Sequence, residues 1–274
     1  MAAPSPLATP TPWDLVATGY TQELIPTFEQ YARDALRLAA PPAGSRIVDV
    51  ACGPGTLSLL AAERGHSVDA LDFSPNMIAQ LQERAAGSPA ITPHVGDGQA
   101  LPYADGAFSA GFSMFGLMFF PDRAKGFAEL RRVLAPGARA VVGSWAPLES
   151  VPVLAAMFAA LRPAIADVLG PDAPKPGAMP NPLSTEEACV AEMSAAFVDV
   201  EVHRVVHTQA HASVDAFWES SLRSTAPLLM LRKNVGEERW TRIADQTLAA
   251  LHASLGSGPV TPAMPALLTV GIAR

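Results

Sequence analysis

The most specific chemistry in this sequence lies in a glycine turn and three aspartates. Ile47-Val-Asp-Val-Ala-Cys-Gly-Pro-Gly55 reads as a short apolar strand entering a tight turn, with a helix to follow. Such a turn needs glycine where φ is positive or where the backbone must approach a ligand closely. The helix behind it offers unpaired N–H groups and the positive end of its dipole, which suits a phosphate or an amino-acid carboxylate. Spacing excludes two phosphate readings. A dinucleotide fingerprint, G-x-G-x-x-G, needs a third glycine, but Gly53-Pro54-Gly55 is followed by Thr56, Leu57 and Ser58. A P-loop needs Gly-Lys-Ser/Thr, which is absent. Further on, Asp72 ends a second apolar run, and Asp97 lies between Gly96 and Gly98. A carboxylate has two acceptor oxygens and can take a pair of hydroxyl donors. An isolated Asp at a strand end is equally a turn or helix cap.

These residues must be held by elements that the hydrophobic pattern predicts. A helix is expected over 13–40, with Leu24, Phe28, Tyr31, Ala35 and Leu38 at helical spacing, ended by Pro41-Pro42. Strands at 46–51, 67–71, 91–95, 107–113 and 138–145 alternate with helices at 56–64, 75–86 and 123–134. That rhythm implies a parallel sheet covered on both faces, whose central strands are continuously apolar. Beyond Trp145 the rhythm changes. A helix over 151–169, a proline-rich connector over 171–182, a helix over 185–196 and a strand over 198–208 are expected. Helical segments then fill 214–255, and the run 266–273 ends the chain.

The residues resemble a known family. Asp49-Val-Ala-Cys-Gly-Pro-Gly55 is similar to the first motif of class I S-adenosylmethionine-dependent methyltransferases, and Leu71-Asp-Phe-Ser-Pro-Asn-Met77 to the acidic end of their second strand. Gly96-Asp-Gly-Gln-Ala-Leu-Pro-Tyr103 and Leu130-Arg-Arg-Val-Leu-Ala-Pro-Gly137 continue the likeness, in order, across 47–145. The ubiquinone/menaquinone-biosynthesis-type branch, which methylates small metabolites, is the most similar. The resemblance implies S-adenosylmethionine as cofactor and S-adenosylhomocysteine as product. Asp49 would accept from the cofactor's ammonium, directly or through water, while Gly53 and Gly55 admit the methionyl portion. Asp72 would take both ribose hydroxyls, Phe73 and Met77 would pack on the adenine, and Asp97 would accept from its amine beside the Gly98 N–H. Ala51, Cys52, Ser113 and Met114 complete the expected set; Cys52 is read as a small packed residue contributing backbone. One departure is Ser109, where relatives usually carry Asp.

The implied fold is α/β: a Rossmann-like, seven-stranded, mostly parallel sheet with helices on both faces, an N-terminal helical cap and an inserted helical lid. Residues 1–12 are expected to be a mobile start, 13–42 the cap, 43–145 the cofactor-binding core and 146–197 a candidate substrate lid containing Met157, Phe158 and Met179. Residues 198–274 return to the sheet, with 267–272 as an antiparallel strand beside the fifth. The segment 146–197 can equally be a rigid strap.

Methyl transfer from a sulfonium needs positioning and water exclusion more than a catalytic triad, and no catalytic residue is named. A DNA amino-methylase motif is missing where Ser113-Met-Phe-Gly116 stands, and Cys52 and Cys189 lack the preceding proline of cytosine-5 enzymes. A small organic acceptor is left, methylated at O, N or C. Tyr20, Phe115, Trp145 and Trp218 are candidate substrate contacts, with ordinary packing as the competing reading. His203, His207 and His211 suggest a metal at first sight. Four residues along a strand span about 13 Å, too far for a shared ion. No metal is expected; they read as a solvated strand face, or one of them as a substrate-side base.

Composition bounds the rest. The 274 residues suit one α/β domain with an added substrate region. A formal net charge of −7 and no Lys/Arg run argue against nucleic acid. Two scattered cysteines make no disulfide framework, so a cytoplasmic setting is expected, and glycines interrupt the longest uncharged stretch, so no membrane span is expected. The alternatives to catalysis by this chain are a methyltransferase-like binding or regulatory subunit and a nicotinamide-dependent reductase.

Overall fold

The computed structural model describes residues 5–170 and 181–274; Met179, expected in the lid, and most of the expected connector lie outside them. Seven strands form one sheet: β1 (Arg46–Val50), β2 (Ser67–Asp72), β3 (Ile91–Val95), β4 (Phe108–Met114), β5 (Leu134–Trp145), β6 (Val198–Thr208) and β7 (Ala263–Ile272). Their order is β3-β2-β1-β4-β5-β7-β6. The first five run parallel, and β7 is antiparallel to both β5 and β6. The Rossmann-like expectation holds, including the last run beside the fifth strand, where Gly143 pairs with Leu268.

Strand alternation sends neighbouring residues into different cores. Val48, Val50, Ala140 and Val142 join one face, which α4 (Arg123–Arg132) and α6 (Glu186–Met193) cover through Phe127, Leu130 and Met193. Ile47, Phe112 and Val141 join the other. That face is covered by α1 (Pro10–Ala39), α2 (Thr56–Glu63) and α3 (Pro75–Ala85) through Leu36, Leu60 and Leu81. Burial on both faces is what the continuous apolar runs in β1 and β4 require.

Three boundaries differ from expectation. Helix α1 begins at Pro10 and is preceded by a 3-10 turn at Pro6–Ala8, with Leu7 buried. Proline favours a first helical turn because its fixed φ suits the helix and its missing N–H is not needed there. Strand β5 begins at Leu134 instead of 138, and β4 shifts register against it between Phe108 and Ala110, at Ser109. The expected helical stretch 214–255 is three helices: α7 (Val214–Ser224), α8 (Ala226–Val235) and α9 (Glu237–Leu255). Pro227 in the first turn of α8 and Gly236 at φ 82° punctuate them.

Helix α5 (Pro152–Leu169) has the length and mean hydropathy, 1.6, of a membrane span. Its Met157, Leu161 and Ile165 recur at helical spacing and meet Trp240, Ile243 and Leu251 of α9 in a third core. By position that is the stripe of a helix packed on protein. Helix α1 crosses α7 at Gly19, where an added Cβ would lie 2.0 Å from the carbonyl oxygen of Arg223. Only glycine allows that approach.

Candidate active site

In an open parallel sheet, ligands bind beyond the carboxyl ends of the strands, where the strand order reverses. Here the reversal falls between β1 and β4, and a cavity of about 290 Å³ opens there. Ala51, Asp72, Gly96 and Met114 line it from the ends of β1, β2, β3 and β4. Phe73, Met77, Asp97 and Gly98 also face it. Gly53 lines it as well, held at φ 55°, while Gly55 at φ 77° sits behind, with no room for a Cβ beside Leu81.

Asp72 is 5% exposed. One carboxylate oxygen accepts from the Gly53 N–H at 2.9 Å and the other from the Ser74 N–H at 2.9 Å. Burial lifts its carboxyl to about 6, against those two N–H groups, which favour the charged form. Each oxygen keeps further lone-pair capacity, and hydroxyl donors from a ligand would relieve the cost of burying it. Asp97 is exposed and accepts from the Gln99 N–H at 2.8 Å through one oxygen, so it caps its own turn and still has acceptor capacity.

Four expected cofactor contacts, Asp49, Cys52, Gly55 and Ser113, stand behind the cavity wall. Asp49 is 1% exposed and accepts from the Ser58 hydroxyl at 2.7 Å; burial raises its carboxyl to about 7. Its observed partner lies in α2, and Asp49 does not line the cavity. The Cys52 thiol is buried and pushed up by that burial, which leaves its backbone as its contribution to the turn. Ser113 alternates with Met114, so the strand turns it from the cavity that Met114 lines.

Helix α1 closes the cavity from above. The Asp14 carboxylate accepts from the Ser74 hydroxyl at 2.6 Å and from the Asn76 N–H at 3.1 Å, two and four residues beyond Asp72. Leu7, Trp13 and Tyr20 thereby line the roof. Burial, with the Asp72 charge nearby, holds the Tyr20 phenol well above its ordinary value, so it stays protonated. Leu7 and Phe119 escaped the sequence reading; the only signal for them was an apolar residue beside a proline and a Phe-Phe-Pro run after β4.

A second chamber, of about 240 Å³, shares Leu7, Trp13, Tyr20, Phe115 and Phe119 with the first. Phe115 holds φ 62°, a strained conformation for a bulky residue. Its ring stacks on Trp145 at 4.0 Å between centroids, and Phe28 meets both edge-on. Trp145 lines the second chamber. Trp218 does not. Adjacent helical residues point about 100° apart, and while Phe217 faces the chamber, Trp218 is buried with Met157 and Trp240. The described roof comes from α1, α7 and α8; from 146–197 only Leu154 reaches the chamber among the described residues. Met157 is buried in the third core with Phe158 packed against it.

The three histidines separate. His203 lies 3.7 Å from Glu201, His207 is 2.8 Å from the Asp34 carboxylate of α1, and His211 lines the second chamber. The reading of a solvated face is corrected in part: His203 and His207 keep the same alternation in β6, but α1 covers His207, which packs edge-on against Tyr31 and pairs with Asp34, and His211 lies beyond the strand.

The sheet order β3-β2-β1-β4-β5-β7-β6 is a Rossmann-like α/β architecture, with the glycine turn after β1 and an acidic residue closing β2. Residues 47–137 match the family described as a methyltransferase domain. A demethylmenaquinone methyltransferase of Thermus thermophilus is 41% identical over 121 residues, 43% of this chain and 55% of that protein. An uncharacterized protein of Mycobacterium bovis is 36% identical over 131 residues, 47% and 48% of the two chains. The chain thus spans about half the length of the curated relatives it matches. Among solved structures, the [4+2]-cyclase SpnF superimposes with a TM-score of 0.59 at 16% identity, over 99% of each chain. At that identity the likeness concerns the fold alone.

Proposed function

We propose that the chain is an S-adenosylmethionine-dependent methyltransferase acting on a small organic acceptor, with the cofactor in the first cavity and the acceptor in the second. The observation that carries this reading is Asp72: a buried carboxylate at the end of β2, with lone pairs left for a ribose diol, in the cavity at the strand reversal. Phe73 and Met77 give the adenine an apolar wall, and Asp97 retains an acceptor for its amine. Ala51 and Gly53 line the cavity where the methionyl portion would lie, and Asp49 supports the turn from behind through Ser58.

When bound, the cofactor supplies a methyl group on a sulfonium, transferred by in-line displacement. The protein's work is then to hold the acceptor in line and to exclude water. Tyr20, Phe115 and Phe119, common to both cavities, form an apolar collar at the junction. The same reading includes a cytoplasmic setting, supported by two free, buried thiols.

Calorimetric titration with S-adenosylmethionine, S-adenosylhomocysteine and NADPH tests the proposal. Micromolar binding of the first two and none of the third supports it. No binding of either by folded protein would turn the reading to a non-catalytic subunit.

A further inference from the structure

The second chamber has an unusual polar inventory. No Asp, Glu, Lys or Arg lines it among the described residues. An acceptor molecule carrying a full charge would find no counter-ion there, and burying an unpaired charge is costly. The Ser221 and Ser224 hydroxyls both donate back to helix carbonyls, to Phe217 and Ser220, each at 2.8 Å. Lone pairs are what those two hydroxyls have left to offer. Gln209 donates its amide N–H to the Glu23 carbonyl at 3.2 Å, which leaves its oxygen as an acceptor. The Tyr20 phenol and the second amide N–H of Gln209 add donors, so this corner of the uncharged wall offers both acceptors and donors, and its acceptors can take a ligand O–H.

His211 sits in that corner. Its backbone is fixed by paired hydrogen bonds with Val260, at 2.8 and 3.1 Å, and its ring packs edge-on against Phe217. Burial lowers its basicity and keeps the imidazole neutral, while the Glu23 carboxylate of α1 favours its protonated form. Glu23 is itself held by the Arg223 guanidinium at 2.6 Å. The titratable and charged groups that share this corner are Glu23 and Tyr20 of α1 and Arg223 of α7.

Resting on the methyltransferase reading above, we infer that the second chamber takes a neutral, apolar acceptor bearing an acidic O–H, and that His211 removes its proton during transfer. The acceptor oxygen forms the new bond to the methyl carbon as the carbon–sulfur bond breaks. The electron pair of that bond stays on sulfur, giving neutral S-adenosylhomocysteine, and the O–H proton passes to the His211 imidazole and then to water. Glu23 is a positioning residue: its charge supports the imidazolium that forms.

The test uses the full chain with 2-naphthol, a neutral fused-ring phenol. The comparators are 2-methoxynaphthalene, which has no donor, and 2-naphthoate, which is anionic. Binding is followed by calorimetry in the presence of S-adenosylhomocysteine. The expected result is that 2-naphthol binds about tenfold more tightly than either comparator, one hydrogen bond's worth, and that His211→Phe narrows the preference over 2-methoxynaphthalene while the discrimination against the anion, which rests on the missing counter-ion, remains. With S-adenosylmethionine, His211→Gln should lower kcat for 2-naphthol methylation about 100-fold or more, the usual range for a general base, with KM little changed. It should also remove the rise of kcat with pH that tracks the His211 imidazole signal in NMR. Glu23→Gln should shift that rise to lower pH. Equal binding of the three probes, preference for the anion, or an unchanged kcat in His211→Gln would overturn the inference. Calorimetry of S-adenosylmethionine binding separates it from the underlying reading: loss of cofactor binding in the wild type sinks the methyltransferase proposal, while probe binding still reports on the chamber.

Discussion

Two buried carboxylates in the turn region have different partners and different consequences. Asp72 faces the cavity and holds two backbone N–H groups, whereas Asp49 faces α2 and holds Ser58. Replacing Asp72 by Ala should weaken cofactor binding by about 1.5–3 kcal/mol, the worth of hydrogen bonds to a charged group. Asp72→Asn, isosteric and able to accept from one N–H, should bind more weakly than wild type while keeping its Tm within a few degrees; calorimetry and a thermal melt check both. Ribose hydroxyls donate to the ionised form, so affinity should fall as pH drops below about 6, where Asp72 takes a proton. Stability without ligand runs the other way. A carboxyl raised by burial binds its proton more tightly folded than unfolded, so stability falls as pH rises from the ordinary carboxylate range to the folded value. For Asp49 that window runs from 3.8 to about 7. The Tm difference between Asp49→Asn and wild type should therefore widen in favour of the variant between those limits, followed by calorimetry against pH.

Helix α1 is the element that turns an open crevice into two joined chambers. Its N-terminal half is fastened to the start of α3 through Asp14, and its middle lies against α7 at Gly19. Asp14→Ala removes the carboxylate that serves Ser74 and Asn76. It should speed cofactor release several-fold, read by stopped-flow, with the sheet's far-UV signal unchanged. Gly19→Ala sets a Cβ against the Arg223 carbonyl and must push the helices apart, at about 1–3 kcal/mol, typical of overpacking. A lowered Tm together with loss of 2-naphthol binding is expected, because the second chamber lies between these helices. The sequence showed α1 as a helix by its apolar spacing. Its contacts with α3 and α7 were not legible, since nothing local in Asp14 or Gly19 encodes partners 60 or 200 residues away.

At the scale of the molecule, the chain ends by inserting β7 between β5 and β6. Among the described residues β6 has no other neighbour in the sheet, so its place there depends on β7. A chain cut after Pro262 should keep helical signal but lose the cooperative melt and the near-UV signature of packed Trp145, whose strand pairs with β7 at Ala266. The helices α5, α7 and α9 form a separate core beside the sheet. They flank the space beyond the strand ends and leave the sheet order untouched, so a site can vary on a constant fold.

What the sequence by itself determined is the local and periodic part. Alternating apolar runs and helical spacings set the strand–helix rhythm, and the glycine turn with Asp72 and Asp97 marked the cofactor side, because those features act within a few residues of one another. The tertiary structure alone decided which residues face a cavity. It turned Asp49, Ser113 and Trp218 away from the space and brought Leu7, Trp13 and Phe119 into it. It also set His211 apart from His203 and His207. Each of those outcomes depends on a strand's register, a helix's rotation or the crossing of distant elements, and these are fixed only when the whole chain packs.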